Sequence, residues 1–169
     1  MMKEAIDFIQ DNYEGGTVVF LGDYIDRGPD SKLVVDKLVT GPDDPNKWGW
    51  ITLKGNHEDM AVASMEDHSL LPWWFGNGGK ETIDSYEEGD TELFYSHLDW
   101  MRNLPILYYD DHRVYVHAYV SESYDLFNQN ENDVMWTRYP NGADVGYRGK
   151  HVVHGHTPQK KPLELENRT

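Results

Sequence analysis

Four short blocks hold most of the groups able to do chemistry: Gly22-Asp23-Tyr24-Ile25-Asp26-Arg27-Gly28, Gly55-Asn56-His57-Glu58, Val116-His117-Ala118 and His154-Gly155-His156-Thr157-Pro158. Carboxylate oxygens, an amide oxygen and imidazole nitrogens suit manganese, iron or zinc. Imidazole also transfers protons near neutral pH, and arginine presents a planar fork matched to a phosphate dianion. Cleaving a phosphoester needs a nucleophile, charge neutralisation and a proton for the leaving oxygen. These residue types supply what metal-assisted hydrolysis of that kind requires.

Such groups must be carried to one place, and the preceding residues suggest how. Each block follows a short apolar, β-branched run, at 17–21, 51–53, 114–116 and 152–153. Strands that end on one edge of a sheet deliver distant side chains to a common point. Around them, Ala5, Ile6, Phe8, Ile9 and Tyr13 recur at helical spacing, which predicts a helix over 3–13. Asp30-Ser31 offers an N-cap to a helix whose Leu33, Val34 and Leu38 share a face, and 41–45 breaks it. A strand over 50–54 and a helix over 58–65 complete an α-β-α-β-α order, the alternation of an α/β fold with a largely parallel sheet. Residues 72–79 read as a turn-rich aromatic stretch, and Leu93, Phe94, His97, Leu98 and Met101 mark another helix. Residues 106–109 and 113–117 flank Asp110-Asp111-His112 as a β-hairpin; 121–133 is polar loop or a short helix, and the last strand starts at Val152.

Composition narrows the class. The chain has 169 residues, enough for one domain with a core. It has no cysteine, which excludes disulfides, thiolate zinc sites and a cysteine nucleophile. A formal charge of −15 disfavours nucleic acid and anionic membranes as partners. The same charge opposes a phosphate substrate unless metals and arginines invert the field locally. The acidic N-terminus lacks the apolar region of a signal peptide, and no apolar run reaches a membrane-spanning length. The expectation is a cytoplasmic protein. Its tryptophans, Trp48, Trp50, Trp73, Trp74, Trp100 and Trp136, suit a core or a pocket wall.

The four blocks together resemble the calcineurin-like metallophosphoesterases, in the phosphoprotein phosphatase branch that includes bacterial and bacteriophage serine/threonine phosphatases. The resemblance runs from about Val18 to Pro158. It implies a β-sandwich flanked by helices, and a protein serine/threonine phosphatase that uses metal-activated water. It further implies that Asp23, Asn56, His117 and His156 ligate metal, that Arg27 and Arg138 bind the substrate phosphate, and that His57 is the general acid, paired with Asp26. His154 reads as a supporting residue. Taken singly, each of these side chains has a plainer reading as a turn, surface or core residue; their co-occurrence after β-runs is the stronger signal. Trp74-Phe75-Gly76-Asn77-Gly78-Gly79-Lys80-Glu81-Thr82 also resembles a segment of the bacterial branch, with no catalytic step attached to it.

Two departures from the family pattern matter. Relatives read His-Ala-Gly where this chain has His117-Ala118-Tyr119, which puts the loop shape in question. The family also opens with a strand ending in Gly-Asp-x-His-Gly, and that block is not in this sequence. The expectation is therefore a domain truncated at both ends. It should hold one divalent cation, manganese first, where intact relatives hold two, and have reduced activity. Asp110-Asp111-His112 reads as a hairpin turn rather than a replacement. The expected partner is a phosphoprotein or a phosphorylated small molecule. The alternatives are hydrolysis of diadenosine polyphosphates and an inactive metal-binding module.

Overall fold

Parallel pairing of two apolar strands begins the architecture. The computed structural model describes residues 2–169. Strands β1 (Gly16–Phe20) and β2 (Trp48–Thr52) pair in parallel, with Val18 opposite Trp50 and Phe20 opposite Thr52. Helix α1 (Met2–Asn12) precedes β1, and α2 (Ser31–Thr40) connects the two strands. Parallel neighbours need such a crossover, because a tight hairpin would reverse the chain. Helix α3 (Asn56–Glu66) follows β2 directly.

A second sheet is built from β3 (Leu107–Tyr109), β4 (Arg113–Val116) and β5 (His151–His154), in that spatial order. β3 and β4 form the expected antiparallel hairpin, and β4 pairs with β5 in parallel, with Val116 opposite His154. Asp110 closes the hairpin by accepting from the N–H groups of His112 and Arg113, at 2.7 Å each. The C-terminal residues lie beside β5, where His154 N–H bonds the Thr169 carbonyl at 2.9 Å. The fold is mixed α/β and consistent with the calcineurin-like architecture expected from the resemblance.

Between the sheets, residues 72–79 depart from the turn-rich expectation. They belong to two short helices, α4 (Leu71–Gly76) and α5 (Gly79–Asp84), separated at Gly78 by a left-handed backbone with φ 106°. The cluster of glycines hides the helical tendency locally. Packing restores it, because Trp74 on α4 is completely buried. Helix α6 (Thr91–Arg102) then packs against α3. The polar stretch after β4 contains a 3-10 turn and helix α7 (Glu131–Trp136).

Two apolar clusters hold these elements. One joins Ile25, Val35, Met60, Ala61, Trp74, Leu98 and Met101 under the helices. The other joins Val114, Val116, Val134, Tyr139 and Val152 at the second sheet. Full burial of a valine contributes about 1.5–3 kcal/mol. Val114, Val116 and Val152 are all inaccessible to solvent, so the strands that lead into His117 and His156 are firmly anchored.

Candidate functional site

Where β1 ends, the chain makes a succession of left-handed turns. Gly22 has φ 99°, Asp23 61°, Asp26 74° and Arg27 61°. His156 after β5 is also left-handed, at 61°. Apart from glycines, the only other described residue in this region is Arg148. Non-glycine residues held there cost on the order of 1–3 kcal/mol each and persist where the surroundings over-determine them.

The surroundings here centre on Glu58, which is fully buried in the first turn of α3. Its carboxylate accepts from the backbone N–H groups of Asp23 at 2.9 Å, Tyr24 at 2.7 Å and Gly55 at 2.9 Å. One side chain thus ties the loop after β1 to the loop after β2. Burial and the charge of Asp23 push its carboxyl up to about 7, against the pull of the three N–H donors. Gly22 allows the two loops to touch: a Cβ there would lie 2.6 Å from the Gly55 backbone and 2.7 Å from His117 Nδ1.

Strand β4 delivers His117 into this junction. Its Nδ1 lies 2.6 Å from the Leu21 carbonyl, so Nδ1–H donates and the lone pair is left on Nε2. That lone pair faces Asn56 Oδ1 at 2.9 Å and Asp23 Oδ1 at 3.3 Å. His156 Nδ1 reaches the same Asn56 oxygen at 2.9 Å. The ligand atoms of Asp23, His117 and His156 all lie within 4.8 Å of one another, the one such cluster among the described residues. Burial holds both imidazoles below their ordinary pKa, which favours their neutral, ligating form. Acceptor atoms converging on one point repel unless a cation lies between them, so this donor set fits a divalent metal. The carbonyl on His117 Nδ1 is the kind of outer contact that orients a metal-binding imidazole.

His57 and Asp26 form a second unit beside the first. His57 Nδ1 lies 2.5 Å from Asp26 Oδ2, and both residues are buried. Burial lowers the imidazole pKa, but the hydrogen bond to Asp26 and the charges of Asp23 and Asp26 outweigh it and leave the pKa raised. An open cleft of about 340 Å³ is lined by Asp23, Arg27, Asn56, His57, Asn77, Trp136, Arg138 and His156, with Pro158. Arg27 and Arg138 are both exposed at its edge.

The chain thus brings all eight sequence-derived site residues to one cleft or its immediate support. His154 lies apart from it. Its Nε2 accepts from Arg168 Nη1 at 2.8 Å, and its ring packs on Tyr139. Asp110, Asp111 and His112 sit at the opposite end of β4 from His117. Tyr119 does not need a left-handed backbone, and its ring turns away onto Tyr139 at 4.7 Å between centroids.

Four contributors escaped the sequence reading. Glu58 was visible only as the third helical residue after Gly55, a position that often reaches back to the helix start. Asn77 lines the cleft, and Trp74 and Thr82 both contact Asp26. All three lie in the segment to which no step could be attached, because nothing local in it reveals that Trp74 and Thr82 bond Asp26, about 50 positions earlier, or that Asn77 faces the cleft.

A family model described as calcineurin-like phosphoesterase matches residues 2–167. The asymmetrical bis(5'-nucleosyl)-tetraphosphatase PrpE of Anoxybacillus flavithermus is 26% identical over 174 residues, covering 90% of this chain and 68% of that protein. Serine/threonine-protein phosphatase 1 of Salmonella typhimurium is 28% identical over 167 residues, covering 89% of this chain and 69% of that protein. Among the described residues no helix is long and apolar enough to cross a membrane.

Proposed function

The chain belongs to the calcineurin-like phosphoesterase family, and from that premise we propose that it is a metal-dependent phosphomonoester hydrolase acting on phosphoserine or phosphothreonine in proteins. One observation carries this reading. The converging acceptors of Asp23, Asn56, His117 and His156 share a cleft with the His57–Asp26 pair, Arg27 and Arg138.

In this reading Asp23, Asn56, His117 and His156 hold one divalent cation, manganese before iron or zinc. The bound cation supplies positive charge at the phosphoryl oxygens and lowers the pKa of water. The remaining work belongs to the side chains. Arg27 and Arg138 bind the other phosphate oxygens and set the register of the ester in the cleft. Asp26 takes the Nδ1–H of His57, which leaves Nε2–H to protonate the departing seryl or threonyl oxygen. Asp26 also stabilises the imidazolium before transfer, as its hydrogen bond to the ring favours the charged form.

A second reading is favoured by one specific feature. Trp136 lines the cleft, and Trp73 stacks on it at 5.5 Å with 22° between planes, leaving Trp73 two-fifths exposed. Such a surface can stack a nucleobase, which suits a dinucleoside polyphosphate like that in the name of the Anoxybacillus flavithermus relative.

The test is turnover of a phosphoserine peptide, diadenosine tetraphosphate and p-nitrophenyl phosphate with manganese, beside calorimetric metal titration. We expect His117→Ala to lose metal binding and turnover together. His57→Asn should keep metal affinity and lose about 10²–10⁴-fold in turnover of the peptide. Preference for the dinucleotide over the peptide would select the second reading. Turnover indifferent to chelation and to His57→Asn would overturn both.

A further inference from the structure

We propose that Trp74 and Thr82 are positioning residues for proton transfer, fixing the Asp26 carboxylate so that it holds His57 in one tautomer and one orientation. The proposal rests on the reading of His57 as the proton donor.

The geometry around Asp26 leaves its carboxylate almost no freedom. Thr82 Oγ1 donates to Oδ1 at 2.6 Å, and Trp74 Nε1–H reaches both oxygens, at 3.0 and 3.1 Å. Oδ2 receives His57 Nδ1–H. The backbone N–H of Asp26 in turn donates to Thr82 Oγ1 at 2.9 Å. The threonine hydroxyl therefore gives and accepts on the same residue, closing a small ring that fixes backbone and carboxylate together. Trp74 and Thr82 are wholly inaccessible to solvent, and Asp26 and His57 nearly so.

Neither contact is needed to bury an apolar group; both end on one carboxylate oxygen pair. A carboxylate held only by its imidazole could rotate about its last bond and carry the ring with it. Held also by Thr82 and Trp74, it presents Oδ2 to His57 in a single direction, and catalytic geometry tolerates errors of only about 0.5 Å. The segment that supplies both residues is itself keyed to the site. Gly79 packs so closely on the Trp74 indole that a Cβ there would lie 2.5 Å from it. The Gly78 carbonyl accepts from Arg27 N–H at 3.2 Å. Helices α4 and α5 thus position both the proton-transfer pair and an arginine of the cleft.

A role confined to stability would slow all substrates alike. A positioning role slows those that need a proton. The test compares phenyl phosphate, whose leaving group requires protonation, with dinitrophenyl phosphate, whose leaving group does not. Thr82→Val should lose about 10–100-fold on the former, the range found when an outer partner that orients a functional side chain is removed, and little on the latter. Thr82→Ser should restore the wild-type ratio. Trp74→Phe should show the same pattern, and Thr82→Val carries the test if that variant does not fold. Proton NMR gives a readout independent of turnover. The low-field resonance of His57 Nδ1–H, assigned by its loss in His57→Asn, should shift upfield in Thr82→Val while manganese affinity by calorimetry stays unchanged. Equal losses on both esters, or an unmoved resonance, would overturn the proposal. If His57→Asn itself shows no selectivity between the esters, the acid role of His57 fails. Selectivity in His57→Asn without selectivity in Thr82→Val defeats only the positioning by Thr82.

Discussion

Glu58 sits beside Asp23 and Asn56, two of the proposed metal ligands, with its own oxygens turned to the backbone. Its two oxygens are consumed by three backbone N–H groups, two on one oxygen and one on the other. Replacing it by glutamine keeps the size but turns one oxygen into a donor. Whichever way that amide is turned, at least one buried N–H then faces another N–H. Leaving a buried donor unsatisfied costs about 1–3 kcal/mol, so Glu58→Gln should lower the urea midpoint by that equivalent with an unchanged slope. The loss should exceed that of a typical surface substitution, which lies within about 0.5 kcal/mol. A midpoint equal to wild type would show that the loop junction does not depend on those bonds.

Where α2 meets α6, a pH-sensitive contact lies away from the cleft. Buried His97 places Nε2 3.3 Å from Asp36 and Nδ1 2.8 Å from the Tyr86 hydroxyl, with Lys32 and Asp90 beside the same group. A neutral ring satisfies both neighbours, donating to the carboxylate and accepting from the phenol. Burial lowers the folded pKa below the ordinary value of 6.5, and the attraction of Asp36 does not offset it. The unfolded chain therefore binds the proton first as pH falls. Stability from this group is complete above the unfolded value and is lost as pH drops from it toward the folded value. Urea unfolding at pH 8 and pH 5 should show wild type losing more stability on acidification than His97→Gln. Comparing the two variants removes the contribution of the other histidines. An equal loss in both would mean that His97 does not carry the effect.

Across the whole molecule, a charge of −15 sets a field that any phosphorylated substrate must cross. The exposed Arg27 and Arg138 mark the cleft as a local exception. Long-range repulsion acts mainly on encounter and is screened beyond about 8 Å at physiological ionic strength. A phosphoserine peptide with basic flanks should therefore have a higher kcat/KM than one with acidic flanks, by about tenfold or more at low salt. The ratio should shrink toward one as salt is raised. A ratio that salt does not change would place the preference in direct contacts within the cleft.

The sequence alone determined which side chains are available to a site, because its carboxylate, amide and imidazole groups fall in blocks that follow β-branched runs and so sit at strand ends. The roles proposed for Asp23, Asn56, His57, His117 and His156 came from the family resemblance. The parallel strand pair and the hairpin were also legible in the sequence. Only the tertiary structure decided how those side chains are held. Trp74 and Thr82 act on Asp26 across 48 and 56 positions, and Glu58 on Asp23 across 35. Such bonds leave no periodic or local trace. They exist because packing closes α4 and α5 over the loop after β1, and a buried hydrogen bond takes its partner from whatever the fold brings near, not from what lies near in sequence.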